Sequence, residues 1–162
     1  MGEKWKNILV FLGLVITLAL FNLSVWKKER ILEDGEQVLL KMAPVDPRMP
    51  FQGDYMKLEY EAATGVSLDS IPRKGYCIVK PNGSGWHERI RFQRELNPLF
   101  PGECPIAYTT DRYNVYIGSS TYFFQEGKAH VYDSASYAGM KVDHKGNSVL
   151  VGLYDKNRQL VK

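Results

Sequence analysis

The residues best equipped for chemistry lie in one stretch, residues 44–60, which reads PVDPRMPFQGDYMKLEY. Asp46, Arg48 and Asp54 set two carboxylates and a guanidinium close together, and Tyr55 and Tyr60 follow. A guanidinium grips a carboxylate or phosphate through two parallel hydrogen bonds. Two carboxylates in one cleft can work as an acid and base pair once one pKa is shifted. The same residues also make a stiff corner. Pro44, Pro47 and Pro50 fix φ and remove N–H donors, Asp46 can close a turn into Pro47, Gly53 permits positive φ, and tyrosine rings can cover a core edge. The stretch therefore supports a structural corner, a partner-binding surface built on Asp46, Arg48, Gly53, Asp54, Tyr55 and Tyr60, or an active site using Asp46 and Asp54.

The other reactive side chains are scattered. His87, His130 and His144 fall in separate segments without H-x-H or H-E-x-x-H spacing, so the sequence calls for neither a metal nor a cofactor. His87 sits among Arg89 and Arg91 and reads as part of a solvated strand face. Cys77 and Cys104 lack C-x-x-C spacing. They could be buried thiols, or a disulfide if the domain lies outside the cytoplasm and their Cα atoms come within about 7 Å. Tyr113, Tyr116, Tyr122, Phe123 and Phe124 crowd one region, and core packing accounts for them more simply than a ligand groove.

These residues need a scaffold, and at 162 residues the chain is one domain plus an appendage. With 44% hydrophobic and 12% aromatic residues it can bury a core. A net charge of +3, with acids and bases mixed, offers no basic stripe for nucleic acid. Residues 8–26 carry no charge, and at about 1.5 Å per residue they match the roughly 30 Å hydrocarbon core of a bilayer. Trp5 and Trp26 bracket this run, and Lys27, Lys28 and Arg30 follow it. Bulky residues at the end of the run leave no A-x-A-like cleavage site, so an uncleaved signal anchor is expected. The flanking positive charges nearly balance and do not fix its orientation.

The expected organisation is a short tail (1–7), a transmembrane signal anchor (8–26), a juxtamembrane linker (27–35) and a β domain (36–162). Residues 36–43 alternate as a strand with Val38, Leu40 and Met42 on one face, and residues 55–60 do so with Met56, Leu58 and Tyr60. The turn PNGSG at 81–85 predicts a hairpin joining 76–80 to 86–94, with Ile90 and Phe92 on the face opposite His87, Arg89 and Arg91. Short strands follow through 106–124, then a short helix within 126–137, and a closing hairpin turns through Lys145, Gly146 and Asn147. The fold class expected is mainly β: a transmembrane helix, then a small antiparallel β barrel or sandwich with at most one or two short helices.

Gly53-Asp54-Tyr55-Met56-Lys57-Leu58-Glu59-Tyr60 spells G-D-Y-x-x-L-x-Y, and with residues 44–48 before it the chain resembles the GDYXXLXY family of bacterial membrane-anchored proteins. Residues 122–127 (YFFQEG) are similar to that family's YFVxEG segment, and residues 142–153 to its closing hairpin. The resemblance spans residues 36–154. It implies a β domain outside the cytoplasm, held by a single-pass anchor in the cell membrane and often encoded beside a polytopic membrane protein, but no reaction. The anchor and β domain are also similar to type I signal peptidases, yet no serine stands where their nucleophile would lie, before residues 50–55. The expected role is an accessory or binding subunit for a membrane protein partner. The alternative is an envelope hydrolase or ligand-binding enzyme with Asp46 and Asp54 as its acid and base.

Overall fold

The computed structural model describes residues 3–43 and 55–161. Helix α1 (Glu3–Asp34) runs unbroken through the expected anchor and the expected linker. Its apolar part has a mean hydropathy of 2.6, and none of that part is buried by the rest of the chain. Only at its last turn does α1 meet the domain, where Ile31 becomes buried. There the Gly35 N–H closes onto the Ile31 carbonyl (3.0 Å), and the Lys141 ammonium bonds the Gly35 carbonyl (2.9 Å). A Cβ on Gly35 would lie 2.3 Å from the Ile31 oxygen and 3.1 Å from the Val142 backbone. Glycine is what lets helix, turn and sheet meet so closely.

The chain continues directly into β1 (Glu36–Lys41). The other strands are β2 (Tyr55–Lys57), β3 (Lys74–Pro81), β4 (His87–Gln93), β5 (Cys104–Thr110), β6 (Val115–Ile117), β7 (Thr121–Phe123), β8 (Tyr137–Val142) and β9 (Ser148–Tyr154), with a short helix α2 (Ala129–Tyr132) before β8. Seven strands form one sheet in the order β6-β5-β3-β4-β1-β8-β9, while β2 and β7 pair separately. The large sheet curls into a half-barrel. The turn of the β8–β9 hairpin reaches back to β5, where the Gly146 carbonyl accepts from the Ala107 N–H (2.8 Å). The mainly β architecture with two helices among the described residues matches the fold class expected from sequence.

Val38 and Leu40 of β1, Val79, Ile106, Ile117, Ala138, Met140 and Leu153 are fully buried on the concave side. The alternation in residues 36–42 therefore does point one apolar row at the core. Cys77 and Cys104 are both free and buried there, and burial pushes each thiol up to about 12. The register sets Cys77 opposite Ile106 and Cys104 opposite Val79, two positions away from a direct cross-strand pair.

Strand β4 departs from the simple alternation. Ile78 pairs with Arg91 and Val79 with Arg89, which leaves Ile90 as an extra residue. This bulge reverses the side-chain parity along the strand. Ile90 is consequently exposed, while Phe92 packs edge-on against buried Tyr108 with ring centroids 4.7 Å apart. Arg89 lies 5.2 Å over the Phe92 ring and donates to the carbonyls of Ala62 (2.7 Å) and Thr64 (3.1 Å). His87 is not the solvated histidine that alternation suggests: it is 8% exposed. Its Nδ1 accepts the Leu39 N–H at 3.2 Å, at the one parallel junction of the sheet, where β1 meets β4 through the pair Leu40 and His87. On the other face, Arg91 grips Glu103 with both arms (2.5 and 2.8 Å) and pins the long loop before β5. That grip, aided by the Phe100 N–H, holds the Glu103 carboxyl at about 2.

Candidate functional site

Of the residues singled out in the central motif, Asp46, Arg48, Gly53 and Asp54 lie outside the described residues, so the carboxylate pair and the anion-binding arginine have no geometry here. Tyr55 and Tyr60 are described, and they do different work.

The end of the motif is buried. Leu58 is 4% and Tyr60 2% exposed. The Tyr60 hydroxyl donates to the Ser119 carbonyl (2.5 Å), and the Leu58 N–H donates to the Ser120 carbonyl (2.9 Å). A bridge to Met42, with the Ala43 N–H on the Glu59 carbonyl (2.8 Å), ties the same stretch to the end of β1. Burial pushes the Tyr60 hydroxyl well above its usual range, so it stays a neutral donor. This half of the motif is a corner that joins β1 to the β2–β7 ribbon.

The described residues before this corner, Tyr55–Lys57, are half-buried. β2 pairs antiparallel with β7: Tyr55 opposite Phe123, Met56 opposite Tyr122 and Lys57 opposite Thr121. Two segments far apart in the chain, Tyr55–Lys57 of the first motif and the start of YFFQEG, are thus zipped together. Pleating sends Tyr122 and Phe124 inward, where both meet Tyr132 of α2 (centroids 5.3 and 5.0 Å). It sends Phe123 outward, where it is 76% exposed and lies 6.0 Å from the half-buried Tyr55 ring. The crowded aromatics of residues 113–124 are therefore divided. Tyr122 and Phe124 pack on the core, while Phe123 and Tyr113 are open.

Charges flank the ribbon in fixed positions. Lys57 pairs with Glu59 (2.8 Å), which raises the lysine pKa. Asp111 accepts the N–H groups of Tyr113 and Asn114 and the Tyr116 hydroxyl (2.7 Å each). These bonds hold the Asp111 carboxyl down at about 2. Among the described residues no three His, Cys, Asp or Glu side chains are grouped to hold a metal ion. What the arrangement can do is present two neighbouring aromatic rings, the exposed Phe123 and the half-buried Tyr55, at fixed positions on a paired ribbon. Aromatic anchors of this sort are the common centres of protein contact surfaces. The outward position of Phe123 escaped the sequence reading because its strand partner lies far away in the chain. The alternation of Tyr122, Phe123 and Phe124 was the available signal.

A family model described as GDYXXLXY protein matches residues 17–153, from the second half of α1 to β9. No curated protein and no solved structure matches the chain.

Proposed function

The chain belongs to the GDYXXLXY family, and on that premise we propose that it is a single-pass membrane-anchored β domain lying outside the cytoplasm. Its role is that of an accessory or binding subunit for a polytopic membrane protein. The observation that carries this reading is the split motif: buried Leu58 and Tyr60 lock the ribbon, while Phe123 stands exposed against the half-buried Tyr55 ring, and Asp54, Arg48 and Asp46 precede Tyr55 in the sequence. A surface ring costs solvation, and a preset aromatic pair gives a partner contact area at little entropic cost.

The test uses the full chain in mild detergent. Phe123→Ser and Arg48→Ala should each leave the thermal midpoint close to wild type yet weaken retention of the co-purifying membrane protein by roughly tenfold, as expected for an interface anchor. Retention equal to wild type in both variants would remove the ribbon as the contact surface. Loss of folding in both would return the motif to a purely structural role.

A further inference from the structure

Within the apolar run of α1 one side chain is out of place. Asn22 lies four residues before Trp26, about 6 Å inside the interfacial tryptophan at 1.5 Å per residue. It belongs to a row of Leu12, Val15, Ala19, Asn22 and Trp26, whose steps of three and four residues put them on one side of the helix. Its Nδ2 donates to the Leu18 carbonyl of its own helix (2.8 Å). A carboxamide carries two N–H donors and a carbonyl acceptor, so one N–H and the oxygen remain to be satisfied. Hydrocarbon offers no water to do so, and none of the described residues outside α1 covers its apolar section. Polar side chains at such depth turn toward another helix.

We propose that α1 pairs in parallel with the α1 of a second copy of this chain through the Asn22 face. Two copies inserted in the same sense place Asn22 at the same depth in both helices. Each amide then donates its free N–H to the oxygen of the other, the reciprocal contact that a two-fold axis produces. A helix of another protein would need a matching polar group at that one level. Ala19, one turn away, leaves room for the backbones to approach. Glu29, the next residue of the row, is in water beyond Trp26 and ends the contact there. The opposite side of α1 carries Gly13, Thr17 and Ser24, but the Thr17 hydroxyl already donates to the Gly13 carbonyl (2.9 Å). The pairing needs no outside partner and stands apart from the role proposed for the β2–β7 ribbon.

Disulfide trapping in native membranes tests it. Ala19→Cys places a thiol in the Asn22 row and Thr17→Cys one on the opposite side, while the native thiols are buried and do not compete. With copper phenanthroline as oxidant, Ala19→Cys should give covalent dimer at least fivefold more readily than Thr17→Cys. Adding Asn22→Leu should lower the Ala19→Cys dimer roughly tenfold, the scale of the two reciprocal interhelical hydrogen bonds it removes in a bilayer. Carbonate extraction would show that Asn22→Leu, which only makes the span more apolar, remains inserted. Trapping at Thr17→Cys equal to or above Ala19→Cys, or an Ala19→Cys dimer unchanged by Asn22→Leu, would overturn the pairing.

Discussion

Tyr60→Ala is expected to destabilise the domain by about 3–5 kcal/mol, the cost of removing a large buried aromatic side chain. The ring is 2% exposed at the meeting point of β1 and the β2–β7 ribbon, so its loss opens a cavity there. Tyr60→Phe separates packing from hydrogen bonding. It keeps the ring but strands the Ser119 carbonyl that the hydroxyl satisfies, a loss of about 1–2 kcal/mol. Chemical denaturation of the detergent-solubilised chain measures both. If the last tyrosine of the motif served only a partner, both variants would unfold at the wild-type midpoint.

The second large effect is a pH dependence set at the junction of β1 and β4. His87 is buried and uses Nδ1 as an acceptor for the Leu39 N–H, a geometry open only to the neutral ring. Burial lowers its pKa below the usual 6.5, against the smaller upward pull of the nearby Glu36 carboxylate, and the Leu39 N–H bond, which only the neutral ring accepts, favours the same direction as burial. Between the folded and unfolded values the unfolded chain binds more protons, so stability rises with pH. The contribution is complete above about 6.5 and is lost as the pH falls through the depressed folded value. Once the ring is protonated, the Leu39 N–H loses its acceptor, and about 1–2 kcal/mol should go with it. His87→Gln, which keeps an acceptor and cannot titrate, should flatten the stability profile between pH 7.5 and 5.5. An unchanged slope in that variant would show that the titration lies elsewhere.

The histidine also marks where the sequence was legible and where it was not. Period-two rows such as Val38 and Leu40, or Leu58 and Tyr60, name their buried face because every second side chain shares it. The apolar run of α1 is equally plain, and so are the Asn82 turn and the Asp143 turn, whose side chains cap the loops they start. Residues beyond a bulge cannot be read this way. The extra Ile90 inverts the parity of β4, so His87 goes inside and Ile90 outside, and no local signal announces the insertion. Pairings over long separations were equally hidden. That β4 lies parallel to β1, and that YFFQEG zips onto the motif strand, depends on how the half-barrel closes. In the proposed contact surface, Tyr55 was visible as part of a motif. Phe123 became visible only once its strand had found its partner.

The most direct measurement of the central claim is the side of the membrane on which the domain lies. Ser84 sits exposed in the turn between β3 and β4, where its neighbours use only its backbone, so Ser84→Cys supplies a reporter thiol without disturbing the loop. Cys77 and Cys104 are buried and stay silent to a bulky reagent. In right-side-out vesicles, a membrane-impermeant maleimide should label Ser84→Cys as fully before detergent is added as after it. Labelling that appears only after detergent would place the domain in the cytoplasm and contradict the account.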